Sequence, residues 1–212
     1  MRLVLAATDA PLADAWTEEC ASLPNVSVHR GSILDLDVDA VVSPANSFGF
    51  MEGGIDGVYR RYFGGHIQER LQALLRAQHD GELPVGMAEI IATDHPRLHY
   101  LIAAPTMRVP MNVAGTLHPY LAARAVFRLV KQGSFAPGSG GEGHVSSRVS
   151  SVAMPGLGTG VGGVPPRTCA RQVRLAYEQI VLGRMPRYAS LAHALAAHQQ
   201  SVSDGLGQSK TV

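Results

Sequence analysis

Two apolar, β-branched runs that each end in a glycine-rich loop constrain this chain more than any other feature. The first run, Val38 to Ser43, continues through Pro44-Ala45-Asn46-Ser47-Phe48-Gly49-Phe50-Met51-Glu52 to Gly53-Gly54-Ile55-Asp56-Gly57. The second, Val152-Ala153-Met154, continues through Pro155-Gly156-Leu157-Gly158-Thr159-Gly160-Val161-Gly162-Gly163 to Pro165-Pro166. Each has the order strand, glycine loop, helix start. Glycine lets a backbone turn with positive φ and approach a ligand closely. Successive N–H groups in such a loop, beside a helix N-terminus, suit phosphate oxygens. Two such loops at the carboxyl ends of neighbouring strands predict a cleft that takes a diphosphate with a sugar on either side.

The rest of the chain supplies a frame for that cleft. Strands are predicted at 2–7, 26–29, 38–43, 88–93, 99–104 and 149–154. The run 38–43 is apolar apart from Asp39 near its start and Ser43 at its end, as expected of a strand covered on both faces. Helices are predicted at 11–22, 56–63, about 66–79, 118–132, 166–182 and 187–199. In the third of these, Ile67, Leu71, Leu74 and Leu75 share one face. Residues 133–147 are rich in Gly, Ser and Pro and read as a mobile surface loop. Strands alternating with helices give an α/β class, a three-layer α/β/α sandwich with a mixed central sheet. Antiparallel pairing is assigned here to the two N-terminal strands. One domain spans 1–185, a helical extension 186–200 and a disordered polar tail 201–212.

Composition narrows the function by exclusion. Of 212 residues, 18 are Lys or Arg and 17 are Asp or Glu, a formal net charge of +1, and the Lys and Arg are spread along the chain, so duplex nucleic acid is not an expected partner. The two cysteines, Cys20 and Cys169, are far apart, with no Cys/His cluster, so neither a disulfide framework nor a metal site is indicated. The first residues are too short a run for a signal sequence, and no membrane span is predicted, so a cytoplasmic location is expected. Gly158 to Gly163 satisfies GxGxxG, but no strand with an acidic residue about 20 positions on follows it, so a dinucleotide fold is set aside. There is no P-loop and no GxSxG elbow.

The two loops, in this order and more than a hundred residues apart, resemble those of macrodomains, the ADP-ribose-binding fold. Met87 to Thr93 and Tyr100 to Pro105 match as intervening strands, and the likeness runs from about Leu3 to Leu182. The stretch Pro105 to Pro110, with Tyr120 to Arg124, is similar to a bacterial and phage-associated branch that processes ADP-ribose-1″-phosphate. The resemblance implies ADP-ribose or an ADP-ribosylated substrate as partner, no cofactor and no metal. It implies hydrolysis, with a non-catalytic binding module, or a binder of another diphosphate nucleotide, as the alternatives. Asn46 would bond a distal ribose hydroxyl, and Asp56 would orient or deprotonate a water at C1″. The resemblance also places Ser32, Ile33, Ala45, Phe48, Phe50, Gly53, Gly54, Ile55 and Gly57 on the ligand, with Gly158, Thr159, Gly160, Val161 and Gly162 from the second loop.

Three departures bear on activity. Ser32 stands where the family usually has an aspartate against the adenine amino group. Gly162 and Val164 stand where many hydrolytic members have an aromatic residue. Glu52 adds a second acid to the first loop. Simpler readings stand beside these roles. Asn46 is also suited to an Asx turn, and Asp56 to the N-cap of a helix beginning at Gly57. Glu52 reads equally as a solvated carboxylate, and Phe48 and Phe50 as a seal for the core. Cys169 falls on a helix's buried stripe with no base partner, so it is expected in the core.

Overall fold

The computed structural model describes residues 1–44 and 46–203. The chain runs β1 (Arg2–Ala7), α1 (Ala10–Cys20), β2 (Val26–Arg30), β3 (Ala40–Ser43), α2 (Gly54–Phe63), α3 (His66–His79), β4 (Glu89–Ala92) and β5 (Tyr100–Ala103). It continues through α4 (His118–Gln132), β6 (Ser151–Met154), α5 (Pro166–Ile180) and α6 (Leu191–Val202). The six strands form one sheet in the order β2-β1-β6-β3-β5-β4.

Side chains alternate across the sheet and divide the core in two. Leu3, Leu5, Val42, Val152 and Met154 face α1, α4 and α5, where they meet Trp16, Phe127 and Tyr177. Val4, Val41, Leu101 and Ala153 face α2 and α3, where they meet Tyr59, Ile67 and Leu71. Helices on both faces make the three-layer sandwich. They also explain why β1, β3 and β6 read as continuous apolar runs.

The sheet is mixed, but the antiparallel pair is not the N-terminal one. β1 and β2 are parallel, with Leu3 opposite Val26, because α1 carries the chain back across the sheet between them. The antiparallel pair is β4 and β5, with Ile90 opposite Ile102. A short turn, including Asp94 at φ 59°, joins them.

Two further expectations are corrected. Residues 133–147 are anchored rather than loose. Phe135 is buried against the Tyr100 ring, Ser139 is buried with its carbonyl accepting from Ala92 N–H, and Ser134 pairs with His144. At the C-terminus, the helix begins at Leu191 and continues through Val202, beyond the predicted end at 199. Ser201 Oγ bonds back to Ala197 O, and Gln172 donates to Ser201 O. The rest of the predicted tail, 204–212, lies outside the described residues.

One contact fixes where the site forms. Asp39 stands near the start of the first run, just before β3, and its carboxylate accepts from the N–H and Oγ of both Ser150 and Ser151 at 2.8–2.9 Å. Burial alone would raise its pKa, but these four bonds hold it below the usual value. They pin the start of β6 beside β3, with Ala40 opposite Val152. The two glycine loops therefore leave the sheet side by side.

Candidate functional site

A cleft of about 600 Å³ lies across the carboxyl ends of β1, β6 and β3. Both glycine loops line it. Of the residues placed on the ligand by sequence, it brings together Ser32, Ile33, Asn46, Phe50, Gly53, Gly54, Ile55 and Asp56 with Gly158 to Gly162. Phe48 and Gly57 are not in its lining. The Phe48 ring lies under the Arg108 guanidinium, 5.1 Å away. Gly57 is buried, and a Cβ there would stand 3.2 Å from Glu52 O. Ala45 lies outside the described residues. Glu52 is exposed and lies beside Arg60 and Arg61 in a separate shallow hollow.

Asn46 braces the first loop. Its Oδ1 accepts from Phe48 N–H at 3.1 Å and Phe50 N–H at 3.3 Å, and its Nδ2 donates to Phe50 O at 2.8 Å. An amide side chain has two donor hydrogens. One N–H of Asn46 therefore remains for a ligand hydroxyl while the others shape the loop. The Asx turn and the ligand role are compatible.

Asp56 is not the helix cap. α2 begins two residues earlier, at Gly54, with Gly53 as a cap that has no side chain to offer. Asp56 thus falls in the first turn and is 3% exposed. Its Oδ1 accepts from Ser43 Oγ at 2.5 Å, the hydroxyl that closes β3. Burial raises the Asp56 carboxyl pKa to about 7, with the Ser43 bond pulling the other way. Beside it, Tyr59 donates to Val42 O, and its phenol is pushed well above the usual range by burial and by Asp56. The carboxyl therefore sits at the cleft edge of an apolar floor, poised to change charge near neutrality.

Two helices start at the cleft with opposite electrostatics. Asp9 caps α1, its Oδ1 accepting from Leu12 N–H at 3.0 Å, with Pro11 in the first turn. A carboxylate already occupies that positive end. The N-terminus of α2 has no side-chain cap, and its free N–H groups lie behind Gly53 and Gly54. A Cβ on Gly53, Gly54 or Gly160 would meet nothing within 4 Å, so these three glycines leave open space. Gly162 is different. Its Cβ would stand 2.5 Å from Gly158 O, so backbone packing requires glycine there.

Several cleft residues were not placed on the ligand from sequence. Thr8 and Asp9 follow β1 in a strand, polar cap, proline pattern that marks a third strand-to-helix junction. Thr106, Met107 and Pro110 come from the β5–α4 loop, whose stretch Pro105 to Pro110 carries a family likeness but no periodicity that marks it as part of the cleft. Thr106 Oγ1 bonds Pro44 O at 2.7 Å, which holds this loop against the first. Ser32 caps a short 3-10 turn, its Oγ accepting from Leu34 N–H. Cys20 and Cys169 are buried, with both thiols pushed up to about 12 chiefly by burial, so neither serves as a thiolate. Among the described residues, no group of three or more His, Cys, Asp or Glu could hold a metal, and no helix is long and apolar enough to cross a membrane.

Solved structures similar to this one include macrodomains. The macrodomain of Mycobacterium tuberculosis DarG aligns with a TM-score of 0.54 at 22% identity, over 71% of this chain and 88% of that one. The Oceanobacillus iheyensis macrodomain with ADP aligns with a TM-score of 0.57 at 17% identity, over 80% and 86%. In sequence, a protein of Aeropyrum pernix is 30% identical over 86% of this chain and 87% of its own length. A macro domain-containing protein of Caldanaerobacter subterraneus subsp. tengcongensis is 29% identical over 69% and 75%. The Macro domain family model matches residues 42–173, from within β3 into α5, and so takes in both glycine loops and the buried Asp56 between them. With more than half of its length matched, and with the sheet and paired loops in place, the chain belongs to the macrodomain family.

Proposed function

We propose that the cleft binds ADP-ribose and that the chain hydrolyses the bond from the distal ribose to an acceptor. The acceptor is an ester-linked macromolecule or the 1″-phosphate of a free derivative. The observation that carries this reading is Asp56, a buried carboxyl with its pKa raised to about 7 at the edge of a cleft lined by both glycine loops. An ordinary surface carboxylate would be a weaker base. The diphosphate would lie between the second glycine loop and the uncapped start of α2, away from the acid-capped start of α1. Asn46, with one N–H to spare, would hold a distal ribose hydroxyl.

In the reaction, ionised Asp56 takes a proton from a water as that water bonds to C1″. The C1″–oxygen bond breaks, and the acceptor leaves as a carboxylate or phosphate. Such leaving groups are stable anions, so one basic residue suffices. Ser43 holds Asp56 in place through Oδ1.

Solved variants of the Oceanobacillus iheyensis macrodomain support the assignment. They replace an asparagine, a glycine and an aspartate that lie seven and then three residues apart, the glycine variant carrying ADP-ribose. Asn46, Gly53 and Asp56 have the same spacing.

A second reading, a binding module without turnover, is favoured by Val161. The second loop offers this 71% exposed side chain at the mouth rather than a ring against the distal ribose. The test is calorimetry with ADP-ribose, with release of ADP-ribose from an ester-linked peptide measured alongside. Gly160→Glu, which projects bulk and charge into open space, should abolish binding without loss of fold. Retained affinity would sink the cleft assignment. Wild-type binding without release would establish the module reading.

A further inference from the structure

The sheet has a second concave end, opposite the glycine loops. At the amino-terminal ends of β3, β5 and β6 lies a hollow of about 610 Å³. Asp39 lines it from just before β3, His99 and Tyr100 from the start of β5, and Arg148 from just before β6. Asp94 and His95 line it from the β4–β5 turn. None of these six residues lines the cleft at the carboxyl ends of the strands.

Groups of both charges in this hollow have bonding capacity to spare. The four serine bonds to Asp39 all fall on Oδ2, so the carboxylate is fixed while Oδ1 accepts no hydrogen bond. Asp94 likewise accepts through Oδ2 alone, from Arg70 Nη2 at 2.7 Å, and that bond holds its carboxyl below the usual value. Arg148 is exposed, and its guanidinium makes no hydrogen bond or ion pair among the described residues. His95 Nδ1 accepts from the N–H groups of Arg97 and Leu98, each at 3.2 Å, which leaves the ring proton on Nε2 as a free donor. The lining also has an apolar part. It comprises Ala92, Pro96 and the Tyr100 ring, which Phe135 backs at 5.2 Å.

Charge decides between kinds of ligand. Inorganic phosphate would meet two carboxylates, and a polyamine would meet Arg148. A metal ion would find no group of three donors among the described residues. A molecule with both an ammonium and a carboxylate answers both signs. Concave sites for small molecules combine an apolar wall with a few placed polar groups. We propose that the hollow binds a free α-amino acid with an apolar side chain. Its ammonium faces Asp39 and Asp94, its carboxylate faces Arg148 and the His95 Nε2–H, and its side chain lies against Ala92, Pro96 and Tyr100. This assignment is independent of what the cleft binds.

The test titrates the full chain with L-leucine and L-phenylalanine and follows backbone amide shifts by NMR. Phenethylamine, which lacks the carboxylate, and 3-phenylpropionate, which lacks the ammonium, are the comparison probes. Shifts should saturate at residues 92–99 and 147–148, and each comparison probe should bind about tenfold more weakly than L-phenylalanine. Arg148→Gln should weaken L-phenylalanine about tenfold and leave phenethylamine unchanged. Asp94→Asn should weaken L-phenylalanine and phenethylamine and leave 3-phenylpropionate unchanged. Asparagine tolerates the φ of 59° at that position, and both side chains are exposed, so both variants should melt as the wild type does. Saturation by neither amino acid, or shifts confined to the cleft, would overturn the proposal. So would equal affinity for L-phenylalanine and either comparison probe, or an affinity for L-phenylalanine unchanged in both variants.

Discussion

Replacing Asp56 with asparagine should stabilise the protein in alkaline solution while removing its proposed base. The carboxyl pKa is raised from 3.8 to about 7, chiefly by burial. The native state therefore binds the Asp56 proton more tightly than the unfolded chain does. Between these two values, unfolding releases a proton, so stability falls as pH rises. Below about pH 4 the carboxyl is protonated in both states and costs nothing. Above pH 7 the full cost applies: about 3 units at ~1.4 kcal/mol each, or roughly 4 kcal/mol. Asparagine cannot ionise, and its Oδ1 can still accept from Ser43 Oγ. Its Nδ2 would face the cleft with no designed partner, at a cost of roughly 1–3 kcal/mol. The expected net gain at about pH 8 is then ~2 kcal/mol, or roughly 4–8 °C in Tm for a chain of this size. Thermal melts of both proteins from about pH 4 to pH 8 test this. The variant should lie at or below wild type at the acid end and above it at the alkaline end. Two curves that stay parallel across that range would refute the argument, because they would show that Asp56 ionises in the fold without cost.

The same carboxyl sets the pH dependence of turnover. Hydrolysis should rise through about pH 7 and level off as Asp56 ionises, and Asp56→Asn should be slower by roughly 10²–10³-fold. A steady-state rate profile flat from pH 5 upward would exclude a base that titrates there. Gly160→Ala should leave Tm near wild type, since its Cβ meets nothing, whereas Gly162→Ala should lower stability by roughly 1–3 kcal/mol, since its Cβ meets Gly158 O at 2.5 Å. Equal urea midpoints for the two variants would contradict the different reasons given for these glycines. Elsewhere in the cleft lining, Ser32 Oγ accepts one bond as a turn cap, and Asp9, whose Oδ1 caps α1, has a second oxygen that is a stronger acceptor for an amino group of a base. Asp9→Ser keeps a helix cap and removes that oxygen. Calorimetry should show the preference for ADP-ribose over its inosine analogue reduced about tenfold, and an unchanged ratio would remove Asp9 from base recognition.

Much of this architecture was legible because parallel strands covered on both faces leave an unbroken apolar signature, and glycine loops mark where they end. The pairing direction was also legible, though by a different argument from the one that the sequence reading used. Only a short turn separates the segments around Ile90 and Ile102, too short for the crossover that parallel neighbours need. Those strands had to be antiparallel. The segments around Leu3 and Val26 enclose a full helix and were free to be parallel. The β5–α4 loop is another matter. It joins the site through one side-chain bond, Thr106 Oγ1 to Pro44 O, and through backbone bonds, from Ser47 N–H to the Met107 carbonyl and from Val113 N–H to Gly162 O; a lone threonine and backbone bonds leave little residue-type signal.

Asp56 shows how a helix boundary decides a reading of chemistry. With the helix begun at Gly57, Asp56 stands outside it as a cap, solvated and ordinary. With the helix begun at Gly54, Asp56 falls in phase with Tyr59 and Phe63, three and seven residues on, which are the buried face of α2. The apolar stripe of that helix thus carries a carboxylate at its first position. An acid in register with a buried stripe must be paired, protonated or functional, because an unpaired ion there is costly. Ser43 supplies one hydroxyl and no positive charge, and burial shifts the carboxyl's pKa to about 7. Helical phase alone, extended back by one turn from Tyr59 and Phe63, points to the residue on which the proposed chemistry depends.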